Sequence, residues 1–433
     1  MKNPASAKAN RVESTFPELP TEWEWVSLKH LCSISAEYGL NISSSEYGDD
    51  GIRLIRTTDI LEKGALQEND AVYIPPSEAG DTILKDGDIL ISRSGTVGLP
   101  FRYDSSIHGP CTFASYLVRF RPQDHLDSRF FEYFTQSKLF EELVNAERSE
   151  STISNVSGRK FAQFSFPKPP VERMRLVADY LDFHIETIDE LIKYKKNLLG
   201  LLDEKRRAVI EDFMASDGKS VPLKYLVDST PGYAFPSAEF TTNSENMRLL
   251  RGVNVGVGEL NWDETVYWPE EKIDDFEDFL LQPGDIVLGM DRPWISDGIR
   301  VAKLDESDCP SLLVQRVLRI RAKAGVDQKY VRMILESERF RQYFEPITTG
   351  VSVPHISREQ VNEFEVPLPQ ESSQTSISAK WVDFCKTKER LEETINQSIR
   401  LLEEKRLALI TKAVTGQIDL SDWQQSDKQD ATI

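Results

Sequence analysis

Leu201-Leu202-Asp203-Glu204-Lys205-Arg206 and, 200 residues later, Leu401-Leu402-Glu403-Glu404-Lys405-Arg406 are two spellings of one segment. Ala208 and Ile210 return as Ala408 and Ile410. The same offset carries Phe164, Pro167 and Pro169 onto Phe364, Pro367 and Pro369, Ser137 and Phe140 onto Ser337 and Phe340, and Val156-Ser157 onto Ile356-Ser357. Nearer the N-terminus the offset drifts by a few residues, as loop insertions would make it. There Arg53-Leu54-Ile55-Arg56 matches Arg248-Leu249-Leu250-Arg251, and Leu84-Lys85-Asp86-Gly87-Asp88-Ile89-Leu90 matches Leu281-Gln282-Pro283-Gly284-Asp285-Ile286-Val287. Each match is short, but their order is common to the whole chain. The period is far longer than the roughly 20–50 residues of a solenoid, so the pattern reads as a tandem duplication of a domain-sized unit.

Around the opening segment the apolar spacing is 4-3-4-3. Val177, Leu181, His184, Ile188, Leu191, Lys195, Leu198, Leu202, Lys205 and Val209 follow it. Adding the offset gives Ile377, Trp381, Phe384, Lys388, Leu391, Ile395, Ser398, Leu402, Lys405 and Leu409. A seam of this period predicts two long coiled-coil helices, each with an apolar stripe that the other covers most economically. Ile192, Leu199 and Ile210, off this seam, together with Leu402 and Ile410, are candidate partner-binding residues. The other reading is that they widen the intramolecular core.

Upstream of each helix the period is two rather than 3.5. Arg53 to Arg56, Ala71 to Ile74, Ile89 to Ser92 and Tyr116 to Arg121 read as strands, with Asp86-Gly87-Asp88 as a turn. Arg129 to Asn145 reads as one helix, and Phe164 to Pro170 as an extended segment closed by prolines. The expected fold class is therefore α+β: two β-rich domains alternating with two long antiparallel helices, under an internal pseudo-two-fold repeat. The expected boundaries are an arm at 1–20, domains at 21–170 and 221–370, helices at 171–215 and 371–415, a linker at 216–220 and a tail at 416–433.

The composition excludes several classes. No run of apolar residues is long enough to span a membrane, and Met1 to Pro20 lacks the apolar core of a signal peptide. Cys32, Cys111, Cys309 and Cys385 are scattered, which disfavours a zinc site or a disulfide framework and fits a reducing cytoplasm. With 52 basic and 71 acidic residues the net charge is −19, which weighs against a nonspecific nucleic-acid coat but leaves room for a few placed cations. No phosphate-binding loop occurs: Gly252, Gly256 and Gly258 read as a turn. His30, His108, His125, His184 and His355 share no metal-ligand spacing, so no metal site and no catalytic site are assigned.

Two domains that end in an aromatic-x-x-Pro-x-Pro segment, and two helices that end in Leu-Leu-acidic-Glu-Lys-Arg-x-Ala-x-Ile, resemble the specificity (S) subunit of type I restriction–modification systems. The resemblance covers essentially the whole chain. Its most specific pieces are Leu201 to Ile210, Leu401 to Gly416 and Ser92-Arg93-Ser94-Gly95-Thr96-Val97-Gly98. It implies that each β-rich domain is a target recognition domain for one half of a split double-stranded DNA sequence. The helices would set the spacing and dock two methyltransferase (M) subunits, which restriction (R) subunits join. It implies no cofactor in this chain: S-adenosylmethionine, ATP and magnesium would sit on the partners, in a bacterial or archaeal cytoplasm with no membrane role. The competing reading is a coiled-coil scaffold whose β domains bind protein or another ligand rather than DNA.

Loops on a rigid scaffold carry binding residues. Arginine can grip guanine with two hydrogen bonds, asparagine can do the same for adenine, and hydroxyls near glycine suit phosphates. The first-copy candidates for DNA contact are Arg56, Thr57, Thr58, Arg93, Ser94, Gly95, Thr96, Ser151, Thr152, Ser154 and Asn155. In the second copy they are Arg251, Asn254, Arg292, Trp294, Thr349, Ser352 and His355.

Overall fold

The computed structural model describes residues 17–61, 64–148, 155–215, 219–295, 298–348, 353–421 and 423. Contacts group the chain into two compact units. One holds Met1–Lys195 and Asn396–Ile433, the other Lys196–Ile395. Each unit therefore combines one β-rich domain, the first half of the long helix that follows it, and the second half of the other long helix.

Among the described residues of the first unit, nine strands form the domain: β1 (Glu24–Ser27), β2 (Cys32–Tyr38), β3 (Ile52–Ile55), β4 (Tyr73–Ile74), β5 (Ile89–Ser92), β6 (Pro100–Arg102), β7 (Cys111–Phe113), β8 (Leu117–Pro122) and β9 (Ser165–Lys168). They build a four-stranded sheet in the order β2-β8-β5-β6, a three-stranded sheet β4-β3-β7 with β3 and β7 parallel, and the pair β1-β9. The helical segment expected over Arg129 to Asn145 is two helices, α1 (Ser128–Thr135) and α2 (Lys138–Arg148). The break falls at Ser137, whose hydroxyl donates to the Phe134 carbonyl while accepting from the Phe140 N–H. Phe130, Phe131, Phe134, Phe140, Phe161, Phe164 and Phe166 meet in one aromatic cluster that seats these helices on the closing strand.

The second unit repeats the plan. Its strands are β10 (Lys219–Pro222), β11 (Val227–Pro231), β12 (Met247–Leu250), β13 (Val266–Trp268), β14 (Leu280–Leu281), β15 (Ile286–Gly289), β16 (Trp294–Ile295), β17 (Gly298–Ile299), β18 (Val301–Lys303), β19 (Ser311–Leu313), β20 (Val317–Ala322) and β21 (Glu365–Leu368). The order β11-β20-β15-β18 matches β2-β8-β5-β6, and β12 again runs parallel to β19.

The Gly-Asp turn explains itself in both copies. Gly87 and Gly284 sit at φ +83° and +95°, where an L side chain is strained. The next residue, Asp88 or Asp285, is buried and accepts the N–H of Lys85 or Gln282. Its carboxylate also takes two bonds from one arginine, Arg121 or Arg321. The motif thus ties the turn before the central strand to the neighbouring strand.

The long helices are α3 (Val171–Met214) and α6 (Glu371–Val414), with α4 (Gln328–Leu335) and α5 (Glu338–Thr348) between them in the second domain. At 44 residues each long helix is about 66 Å long. Within the first unit the helix segments run in opposite directions: Asp189 pairs with Arg406 at 3.1 Å, and Tyr180 meets Trp423. Within the second, Asp203 pairs with Lys388 at 2.9 Å.

The shielded face is broader than the spacing read above: Val177, Leu181, Ile188 and Leu202 of that spacing are shielded, and so are residues beside it. On α3 it passes through Ile185, Ile188, Ile192, Leu199, Leu202, Arg206 and Ile210, and on α6 through the positions 200 residues on. Leu191 and Leu391, expected on the seam, are exposed. The reason is that each helix packs on a β-rich domain as well as on a helix, which widens the buried face beyond one seam. No described helix is long and apolar enough to cross a membrane.

Candidate nucleic-acid interface

In the first domain the ends of β2, β3, β5 and β7 converge on the turn Ala114–Tyr116. Ala114 N–H donates to Ile55 O at 2.9 Å, Ser115 N–H to Leu40 O at 2.8 Å, and Arg93 N–H to Tyr116 O at 2.9 Å. The second domain does the same at Val314–Arg316, through Leu250 O at 3.0 Å, Tyr233 O at 2.8 Å and the Met290 N–H at 2.9 Å. This edge collects most of the loops singled out from the sequence.

Three successive backbone rungs run along it, and they superpose in hydrogen bonding while differing in side chain. The first joins Ser92 N–H to Leu99 O and, in the second domain, Gly289 N–H to Arg300 O, both at 2.9 Å. The second joins Arg93 to Tyr116 and Met290 to Arg316. The third is a bridge between Ser94 and Asn155, matched by one between Asp291 and His355. Val156 and Ile356 then donate back to Arg93 O and Met290 O at 3.0 and 2.9 Å. The frame is kept and every functional side chain on it is exchanged.

In the first domain, Arg93 lies with its guanidinium 4.8 Å from the Tyr38 ring centroid. Its Nε and the Asn155 Oδ1 are buried without a partner among the described residues. Ser92 Oγ accepts from Leu99 N–H and donates to Thr96 O, closing a hairpin that leaves Gly95 and Thr96 exposed at its tip. In the second domain, Asp291 Oδ1 lies 2.6 Å from His355 Nδ1 and 3.0 Å from Arg316 Nη1. Arg316 is a cation that the sequence reading missed. Its signal was available only as the position after the strand-end turn, opposite an arginine in the other copy. Arg292 is exposed on the same loop, with φ +44°. A cleft of about 780 Å³ opens here, between Arg251, Arg300, Arg316, Gln315, Phe235 and Ile295. Arg300 is not free to act in it. Its guanidinium bonds the carbonyls of Val255 and Asp291 at 2.9 Å and that of Gly252, and burial holds its pKa below the usual arginine range.

Several candidates are placed differently by their contacts. Arg56 grips Asp59 (Nη2 to Oδ1 2.7 Å) and the Asp70 carbonyl, and that hydrogen-bonded carboxylate raises its pKa; it clasps the turn Thr57–Asp59. Thr58 is exposed on that turn and Thr57 half-buried. Arg251 holds the equivalent turn through the Glu264 carbonyl. Asn254 is 1% exposed and its amide is used up by Arg251 N–H and Asn261 O, so it cannot reach DNA. Trp294 packs on Phe340 and Phe344 and serves the core. Ser151, Thr152, Ser154, Thr349 and Ser352 lie outside the described residues.

The partner-binding candidates also change. Ile192, Ile210 and Ile410 are buried, Ile210 in the core with Trp381, and so offer no docking surface. Leu199 and Leu402 are half-buried. The leucines of the long helices that face solvent among the described residues are instead Leu191 and Leu401 on the first unit and Leu391 and Leu201 on the second. They too are related by the 200-residue offset.

The family profile described as "Type I restriction modification DNA specificity domain" matches residues 20–200. The type I restriction enzyme MjaVIII specificity subunit of Methanocaldococcus jannaschii is 26% identical over 354 residues, which span 78% of this chain and 80% of the relative. The EcoAI specificity subunit of Escherichia coli is 30% identical over 270 residues, 62% of this chain and 44% of the relative. Among solved structures, a chain from "Structural basis underlying complex assembly and conformational transition of the type I R-M system" matches with a TM-score of 0.73, covering 93% of this chain and 100% of that one at 14% identity. The HsdS subunit from Thermoanaerobacter tengcongensis matches with a TM-score of 0.54 over 93% of this chain and 99% of its own, also at 14% identity. At that identity the structural likeness is one of fold.

Proposed function

We propose that this chain is a specificity subunit of a type I restriction–modification system and that its two β-rich domains each read one half of a bipartite, asymmetric DNA target. The observation that carries the reading is the set of three matched rungs. A repeated scaffold with conserved hydrogen bonding and wholly exchanged side chains is what two readers of two different half-sites require.

The long helices, as an antiparallel coiled-coil spacer under a pseudo-two-fold repeat, fix the distance between the halves. They also dock two methyltransferase subunits, one on each unit. The exposed Leu191 with Leu401, and Leu391 with Leu201, support two similar docking surfaces presented by one chain. The chain itself has no catalytic role. S-adenosylmethionine, ATP and magnesium belong to the methyltransferase and restriction subunits, and the complex works in the cytoplasm of a bacterium or archaeon.

The test is to co-express the chain with its cognate methyltransferase subunit and map methylated adenines across the host genome. A split motif of two unlike halves at fixed spacing is expected. Exchanging residues 21–170 for the corresponding domain of a relative should change one half only. A change in both halves, or methylation by the isolated chain, would overturn the division of labour.

A further inference from the structure

The second rung carries an asymmetry that the two-reader proposal does not by itself demand. In the first domain the cation, Arg93, stands at the end of β5 and faces an exposed aromatic residue, Tyr116, across the Arg93 N–H to Tyr116 O bond. In the second domain the β5-equivalent strand β15 is followed by the buried Met290, and the cation has moved to the facing residue, Arg316. The same rung therefore presents one arginine in each domain, but from opposite strands.

Three independent features mark these two side chains. The Arg93 Nε is buried without a partner among the described residues, and its guanidinium is held 4.8 Å from the Tyr38 ring centroid. The side chain of Arg316 is 56% exposed, and its Nε and Nη2 likewise have no partner among the described residues, while Nη1 is steadied by Asp291 with His355 beside it. The backbone at Arg316 is left-handed, φ +71°, a conformation an arginine adopts only where the surrounding fold imposes it. An arginine fixed at one corner with the rest of its fork free is suited to the two acceptors on the major-groove edge of guanine.

We propose that Arg93 and Arg316 are the specificity-determining cations of their respective domains, each reading a guanine, and that the strand exchange across the rung places that guanine at a different position within each half-site. This rests on the two-reader function proposed above.

The experiment uses the full chain co-purified with its methyltransferase subunit and reads methylated motifs on genomic DNA, with duplex binding in parallel. Arg93→Ala and Arg316→Ala should each relax one base position, in opposite halves, with discrimination at that position falling about tenfold to a hundredfold. Arg316→Lys keeps the charge but not the fork and should relax the same position as Arg316→Ala, which covers the case in which the alanine variant methylates nothing. Arg292→Ala, on the same loop but off the rung, should weaken binding to all sequences alike with a shallower salt dependence and leave the motif unchanged. An unaltered motif for Arg316→Lys, or relaxation in both halves, would overturn the assignment. A wild-type complex with no split motif would instead refute the two-reader function, so the two failures are distinguishable.

Discussion

Replacing Asp88 by Ala should destabilise the first β-rich domain by about 3–5 kcal/mol. Asp88 is 0% exposed and accepts two hydrogen bonds from Arg121, both at 2.6 Å, and one from the Lys85 N–H at 2.9 Å. Arg119, itself 1% exposed, stands 3.7 Å from its Oδ2. Without the carboxylate, the Arg121 guanidinium, 16% exposed, and the turn N–H both lose their acceptor, and Arg119 keeps only Glu37 and two carbonyls. Breaking a buried ion pair costs about 3–5 kcal/mol, and an unsatisfied N–H about 1–3 kcal/mol. The two overlap at one carboxylate and are not summed.

The equivalent Asp285 offers an internal calibration. It holds Arg321, which is 32% exposed, while Arg319 turns to the Asp278 carbonyl and the Thr230 hydroxyl. Asp285→Ala should therefore cost less, about 2–3 kcal/mol, and in the second domain. Urea unfolding of the full chain gives the energies, and hydrogen exchange on β5 and β8 against β15 and β20 gives the location. The double variant Asp88→Leu/Arg121→Met should recover only part of the loss, because the Arg121 charge is no longer orphaned while the Lys85 N–H still lacks its acceptor. The reasoning is refuted if Asp88→Ala falls within about 1 kcal/mol of wild type, or if protection drops equally in both domains.

Four further outcomes are expected. Arg406, 9% exposed, joins Asp189 to Gln136, so Arg406→Ala should cost about 2–3 kcal/mol and loosen exchange around Gln136 while sparing the Glu336 region, which Arg206 holds in the same way. Leu201→Ser with Leu401→Ser should leave urea stability within about 0.5 kcal/mol, since both side chains are exposed, and weaken methyltransferase binding by isothermal titration about tenfold or more; unchanged binding would remove these residues from the docking surface. Burial pushes the Cys32 thiol up to about 12 and those of Cys111, Cys309 and Cys385 up to about 11, so iodoacetamide near neutral pH should label the native chain slowly and the unfolded chain fast; prompt stoichiometric native labelling would contradict this. Burial, aided by Lys405, lowers the His184 pKa below its ordinary 6.5, so the unfolded chain takes up its proton first as pH falls; melting temperature should be insensitive to His184 above about pH 6.5 and decline below it, and His184→Gln should flatten that acid limb.

The sequence by itself determined the duplication, the length of the helices and the strands that follow the Asp86-Gly87-Asp88 and Pro283-Gly284-Asp285 turns, because periodicity, turn residues and repeated motifs are local in the chain. It also carried the family likeness, and it drew attention to Arg93, Ser94, Asn155 and His355, which the structure gathers on one edge of each domain. Tertiary structure alone decided the breadth of the helices' buried face: Ile192, beside the 4-3-4-3 spacing, is buried while Leu191, on it, is exposed, because the domain against which the helix packs covers positions that a two-helix seam would leave open. It alone turned Arg56 and Asn254 from readers into turn clasps, since their partners are fixed by how the loop folds back. And it alone revealed Arg316, because the rung that pairs it with Met290 joins residues 26 positions apart, and strand pairing over such a distance is set by the whole sheet rather than by any local pattern.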